Sequence, residues 1–98
     1  MIYCFDIDDT ICKTNGENYE EAEPIIKRIE YINKLYDQGN KIIFYTARGY
    51  VTKIDWREVT LKQLEDWNVK YNELIPGKPH ADVYVDDKGI KDSDFFDV

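Results

Sequence analysis

The sequence predicts an α/β domain of Rossmann-like design, a three-layer sandwich around a small, mainly parallel sheet. Two observations carry that prediction. Apolar runs of strand length alternate with segments of helical periodicity in the order strand, loop, helix, strand, helix, strand, and right-handed crossovers turn such a series into a parallel sheet. Nothing in residues 1–98 reads as a linker, a repeat or a low-complexity tract, so the expectation is one domain over 1–98.

Residues 2–7 read as the first strand, the apolar run Ile2, Tyr3, Cys4, Phe5 leading into Asp6. Thr10 to Glu23, polar and containing Gly16 and Asn18, reads as a long loop. Pro24 suits the first position of a helix, and Ile25, Ile29, Ile32 and Leu35, with Ile26 and Tyr36, recur on one helical face until Gly39 ends it. The near-continuous apolar run from Lys41 to Thr46 predicts a strand inside a parallel sheet. A second helix is expected from Asp55, with that residue as N-cap, Glu58 as its capping-box partner, and Leu61, Leu64 and Trp67 on the inner side. Glu73 to Ile75 reads as a brief strand, and Pro76, Gly77, Lys78 and Pro79 as a stiff turn. Asp82 to Val85, with Val83 and Val85 alternating, reads as the last strand.

Composition narrows the function classes. The chain is 43% hydrophobic and 14% aromatic, enough for a modest core without disulfide staples. Its formal net charge of −7 argues against the clustered Lys and Arg that nucleic-acid backbones require. Cys4 and Cys12 are too few for a disulfide framework or a four-cysteine metal site. No stretch reaches the roughly 18 to 20 apolar residues of a membrane span, and no basic leader precedes the first strand. A cytoplasmic setting is the expectation.

Two carboxylates stand out, because side chains two apart on a strand share a face, and Asp6 and Asp8 are therefore driven together at its carboxyl end. Like charges so placed repel unless a cation lies between them, and Mg²⁺, which takes oxygen ligands, suits the pair. Ligands of parallel sheets bind at the carboxyl ends of strands. Thr46, Lys78, Asp86 and Asp87 also fall at or beside such ends. Singly, each has a plainer reading: turn caps for Asp6 and Asp8, a β-branched strand residue for Thr46, a solvated turn lysine for Lys78, and a turn before Gly89 for Asp86 and Asp87. Their joint arrival at strand ends favours a site.

In order and placement, Asp6-Ile7-Asp8-Asp9-Thr10, Thr46, Lys78 and Asp86-Asp87 resemble the four motifs of the haloacid dehalogenase superfamily, most of whose members are Mg²⁺-dependent phosphohydrolases. Within it, Tyr45-Thr46-Ala47-Arg48-Gly49, Asp55-Trp56-Arg57-Glu58 and Gly77-Lys78-Pro79 look like small capless phosphatases linked to sugar phosphates and capsular or surface polysaccharide synthesis. The resemblance implies that Asp6 is a nucleophile forming an aspartyl-phosphate and that Asp8 moves protons. It also implies that Thr46 and Lys78 hold the transferring phosphoryl group, and that Asp6, Asp8 and Asp86 contact Mg²⁺. Arg48 either binds substrate, as a clamp on phosphate or sugar, or pairs with an acid to fix its loop. Asp87 binds the metal through water, or orients Lys78 or a ligand.

Asp9 stands where many relatives carry glycine. His80 is not needed by this chemistry, and Trp56 is the one aromatic residue beside the site loop with a stacking role worth testing. The loop between Asp8 and Pro24 is too short for a cap, and eleven residues follow Asp87, so a smaller sheet than in most relatives is expected. The site should then be open unless a second subunit covers it, and a homo-oligomer is compatible with the sequence. The expected activity is Mg²⁺-dependent hydrolysis of a sugar phosphate or another small phosphorylated metabolite, with neither nucleic acid nor membrane as partner. Two other classes stand beside it. A receiver-like phosphoacceptor would carry its aspartate on a middle strand, where this chain has Tyr45-Thr46; a catalytically idle metal-binding or interaction module would keep the fold alone.

Overall fold

A computed structural model describes residues 1–97. In chain order the elements are β1 (Ile2–Asp6), β2 (Cys12–Lys13), β3 (Glu23–Pro24), α1 (Ile26–Asp37), β4 (Lys41–Thr46), α2 (Arg57–Asp66), β5 (Glu73–Pro76) and α3 (Asp92–Phe95). β1, β4 and β5 make a parallel sheet with β4 in the middle. This is the Rossmann-like α/β class that the alternation of elements predicts.

The register explains why the strand ends converge. Asp6 lies opposite Tyr45, and Thr46 opposite Pro76, so the residues that follow each strand emerge along one edge of the sheet. The core lies on one face. Phe5 and Ile7 from the first strand and its exit, with Ile42 and Phe44 of β4, are buried against Ile29 and Ile32 of α1 and Leu64 of α2, the apolar positions that the sequence periodicity marks. Burial of such side chains, each worth about 1.5–3 kcal/mol, is the main force holding the layers together. Phe95 and Phe96, at and just after α3, close the same side, Phe95 edge-on to Phe5 and Phe96 stacked on it. Arg28 of α1 fastens that turn through a 2.7 Å ion pair to Asp92. On the opposite face Ile2 and Cys4 remain exposed.

Three local expectations change. Pro24 does not open the helix: it pairs in β3 with Cys12 of β2, and α1 starts at Ile26. The polar stretch from Thr10 to Glu23 thus closes on itself as a small antiparallel ribbon, whose edge tolerates a residue without an N–H. The second helix starts at Arg57, and Asp55 accepts the Arg57 N–H at 2.9 Å in an Asx turn ahead of it, while the N-cap position is Trp56 without a side-chain cap. No capping box with Glu58 forms. Finally, residues 82–85 form no strand. Val83 is 73% and Val85 94% exposed, and the outer edge of β1 has no neighbour among the described residues.

No helix among the described residues is long and apolar enough to cross a membrane.

Candidate active site

Burial and a lysine define the surroundings of Asp6. Leaving β1, its Oδ1 accepts the N–H of Ile7 at 2.8 Å, and its Oδ2 lies 3.2 Å from Lys78 Nζ. Lys78 arrives there because Gly77 adopts φ +91° after β5 and the Lys78 N–H bonds to the Thr46 carbonyl at 3.0 Å, a left-handed turn that glycine enters without strain. The ammonium also sits over the rings of Tyr45 and Tyr84, at 4.8 and 4.3 Å, where ring quadrupoles attract a cation. Burial lifts the Asp6 carboxyl above its ordinary value, and the Lys78 charge and the Ile7 N–H draw it only part of the way back. A desolvated carboxylate facing a lysine is poised to accept further positive charge.

Asp8 is held differently. It points to Arg48, whose Nη2 donates to Oδ1 at 2.8 Å and whose Nε donates to Oδ2 at 3.0 Å; Thr14 Oγ1 adds a 2.6 Å bond to Oδ1. Of the two roles open to Arg48, pairing with an acid is the one drawn, since its side chain is 0% exposed. Thr46, buried at the end of β4, accepts the Arg48 N–H on Oγ1 at 3.0 Å. Asp9, next in the loop, takes φ +62°, a left-handed conformation that glycine adopts freely and aspartate tolerates.

Asp6, Asp8, Thr46, Arg48 and Lys78 are thus gathered at the carboxyl ends of β1, β4 and β5. Asp86 and Asp87 make no hydrogen bond or ion pair to that group, although the Asp86 charge is near enough to Tyr45 to help raise its phenol. With 82–85 unpaired, Asp86 is exposed and accepts the Lys88 N–H at 2.8 Å. That backbone bond, seconded by the side chain of Asp87, keeps its carboxyl below the usual range. This is the turn geometry weighed above as the plainer reading of the pair. Among the described residues no three His, Cys, Asp or Glu side chains form a group that would hold a metal ion. The Asp6 carboxylate offers hard oxygens, which suit Mg²⁺ as part of a ligand set.

A cavity of about 450 Å³ opens beside Thr46, with Tyr50, Lys53, Trp56 and Arg57 in its wall. Trp56 packs edge-on against Tyr19 at 5.0 Å, so its ring is part of the wall's own packing. His80 is exposed and joins none of these contacts. Thr14, Thr60 and Gln63, which also enter the site's hydrogen bonds, have no counterpart among the residues singled out from sequence. The signal for two of them was faint but present: Thr60 and Gln63 are polar residues three apart on a helix face that also carries Leu64.

The two thiols differ sharply. Cys12 is fully buried and packs beside Asp8; burial pushes its thiol up to about 11, whereas Cys4 is exposed. Because the thiolate is the reactive form, an alkylating reagent at pH 8 should modify one cysteine per native chain and two per denatured chain. Mass mapping of the adduct to Cys12 in native protein would contradict this packing.

No family model matches the sequence, and no curated protein matches it. Solved structures do. A structural-genomics target from Vibrio cholerae superposes with a TM-score of 0.89 at 25% identity, over 99% of this chain and 88% of that one. A chain of the Pnkp1/Rnl/Hen1 complex superposes with a TM-score of 0.63 at 22% identity, over 88% of this chain and 30% of that one. A chain of the Pnkp1/Rnl/Hen1 RNA repair complex gives 0.61 at 18% identity, over 98% and 29%. The present chain therefore spans nearly all of the first and under a third of the other two, and with these it shares a fold.

Proposed function

We propose that the chain is a phosphomonoester hydrolase of the haloacid dehalogenase type, acting through an aspartyl-phosphate on Asp6. The observation that carries this reading is the Asp6–Lys78 pair, a partly buried carboxylate held 3.2 Å from an ammonium at the ends of parallel strands. A phosphate monoester is a dianion, so an attacking carboxylate needs cationic help at the phosphoryl oxygens. Lys78 supplies part of it and orients Asp6. Thr46 offers its hydroxyl to a phosphoryl oxygen. Asp8 delivers a proton to the departing alkoxide and later takes one from the water that cleaves the intermediate.

Mg²⁺ belongs to the proposal, with Asp6 and the Asp8 main-chain carbonyl as its holders; when bound it supplies charge neutralisation at the transferring group. A third contact from Asp86 would be met if residues 82–85 left their exposed course and paired along the free edge of β1. The receiver-like alternative is less well supported, because β4 is the middle strand and ends in Tyr45-Thr46, with no aspartate there to accept phosphate.

The substrate is proposed to be a sugar phosphate or another small phosphorylated metabolite reached through an open site. The test is a phosphatase screen of the purified chain over an aryl phosphate, sugar phosphates, nucleotides, phosphopeptides and phosphorylated RNA ends. The RNA arm is included because of the repair-complex likeness, although the net charge of −7 disfavours it. Hydrolysis that needs added Mg²⁺ and stops with chelator is the expected result. Silence on every ester would sink the reading, and full activity in chelator would remove the metal from it.

A further inference from the structure

We infer that Arg48 is a positioning residue for Asp8, and that through it helix α2 selects Asp8 Oδ2 as the oxygen that carries the transferred proton. The inference rests on the phosphohydrolase reading above and adds to it an assignment at the level of single atoms.

The geometry around the guanidinium is nearly saturated. Nη2 and Nε fork onto the two oxygens of Asp8 at 2.8 and 3.0 Å. Nη1 turns the other way and donates to Gln63 Oε1 at 2.6 Å and Thr60 Oγ1 at 3.1 Å, both on α2. Thr60 is fixed in turn by donating to the Trp56 carbonyl at 2.8 Å, and the Gln63 amide donates to the Tyr19 carbonyl. The ring of Tyr19 lies 4.8 Å from the guanidinium carbon. With its side chain 0% exposed, Arg48 cannot meet a substrate directly. Whatever it does for the reaction it does through Asp8.

The two oxygens of Asp8 are not equivalent. Oδ1 accepts from Thr14 at 2.6 Å and from Arg48 Nη2 at 2.8 Å, which uses both of its in-plane lone pairs, with longer contacts from Arg48 Nε at 3.3 Å and Cys12 Sγ at 3.7 Å. Oδ2 accepts only from Arg48 Nε, at 3.0 Å, and keeps a lone pair for a proton. In the first step a bond forms between Asp6 and phosphorus while the ester P–O bond breaks. The electron pair of that bond leaves with the alkoxide oxygen, which takes the proton from Oδ2. In the second step Oδ2 receives a proton from water, whose oxygen bonds to phosphorus as the Asp6–phosphorus bond breaks. Atoms and charges return to their starting places apart from the hydrolysed ester. A lysine in place of Arg48 keeps the charge but loses the planar fork that aims Oδ2.

Leaving groups separate this role from a merely structural one, because an alkoxide needs the proton and a stabilised nitrophenolate does not. The experiment compares kcat/KM, which reports only the first step, for an alkyl phosphate and for 2,4-dinitrophenyl phosphate in wild type and Arg48→Lys. The expected loss is on the order of 100-fold for the alkyl ester, against less than about 3-fold for the dinitrophenyl ester on the same grounds of needing no general acid. Equal losses on both esters, or none on either, overturn the inference while leaving the phosphatase reading intact. A wild type inactive on both esters removes the reading and the inference together. If Arg48→Lys does not fold, Gln63→Met, which withdraws one anchor of the guanidinium from the surface of α2, is expected to give the same selectivity with a smaller amplitude, and an unselective loss there is equally decisive against it.

Discussion

Asp6→Asn is expected to reduce phosphomonoester hydrolysis by on the order of 10⁴-fold or more, the scale on which removal of a nucleophile acts in other hydrolases, with circular dichroism unchanged. An amide is isosteric, so the 2.8 Å bond from the Ile7 N–H to the side-chain oxygen can persist. What is lost is the negative oxygen that attacks. The same variant carries a second signature, read in chelator. Burial raises the Asp6 carboxyl above its ordinary value of 3.8, so between 3.8 and the folded value the native state holds more protons than the unfolded state. Stability then falls as pH rises through that window and levels off above it. Asp6→Asn lacks this group, so wild-type stability relative to the variant should decline across the window. Urea melts in a pH series measure it; a relative stability that rises over the window would show that Lys78 outweighs burial. Turnover within 10-fold of wild type, a bound taken from the same expectation, would falsify the nucleophile assignment.

Gly49→Ala should damage stability and site together. Gly49 has φ +81°, and a Cβ there would meet the Ile54 carbonyl oxygen at 2.1 Å. Backbone cannot be displaced as a flexible side chain can, so the strain adds to the left-handed penalty, for a loss of about 2–4 kcal/mol. Gly49 and Ile54 both line the cavity beside Thr46, and Arg48 precedes the glycine directly. Chemical denaturation should therefore show a lower midpoint, and the esterase assay a lower kcat. A midpoint matching wild type would mean that the loop from Gly49 to Ile54 follows another course.

The parts of this architecture legible in the sequence are those with a local signature. Apolar runs ended by polar residues located β1 and β4, and with them Asp6, Asp8 and Thr46; the Pro76–Pro79 turn located Lys78. Long-range pairing left no such mark. The Arg48–Asp8 bonds join residues 40 positions apart, and only the folded loop decides between an acid and a substrate as Arg48's partner. Pro24 misled because its suitability for a first helical turn applies equally to the edge of a two-residue ribbon. Residues 82–85 misled for a different reason. Alternating Val83 and Val85 signal a strand, yet a strand is a property of two neighbours, and this one has no pairing partner among the described residues.

The parallel register has a consequence for the order in which the chain assembles. Ile2 pairs with Lys41 and Asp6 with Tyr45, so β1 waits about 40 residues for its one neighbour in the sheet among the described residues. During synthesis the run Ile2–Phe5 must remain unpaired until Lys41–Thr46 has been added, an interval in which an extended apolar strand is open to capture by another chain. The segment that bears Asp6 is therefore made well before its partner strand and secured late, and conditions that slow α1 and β4 should lower soluble yield before they alter any property of the finished fold.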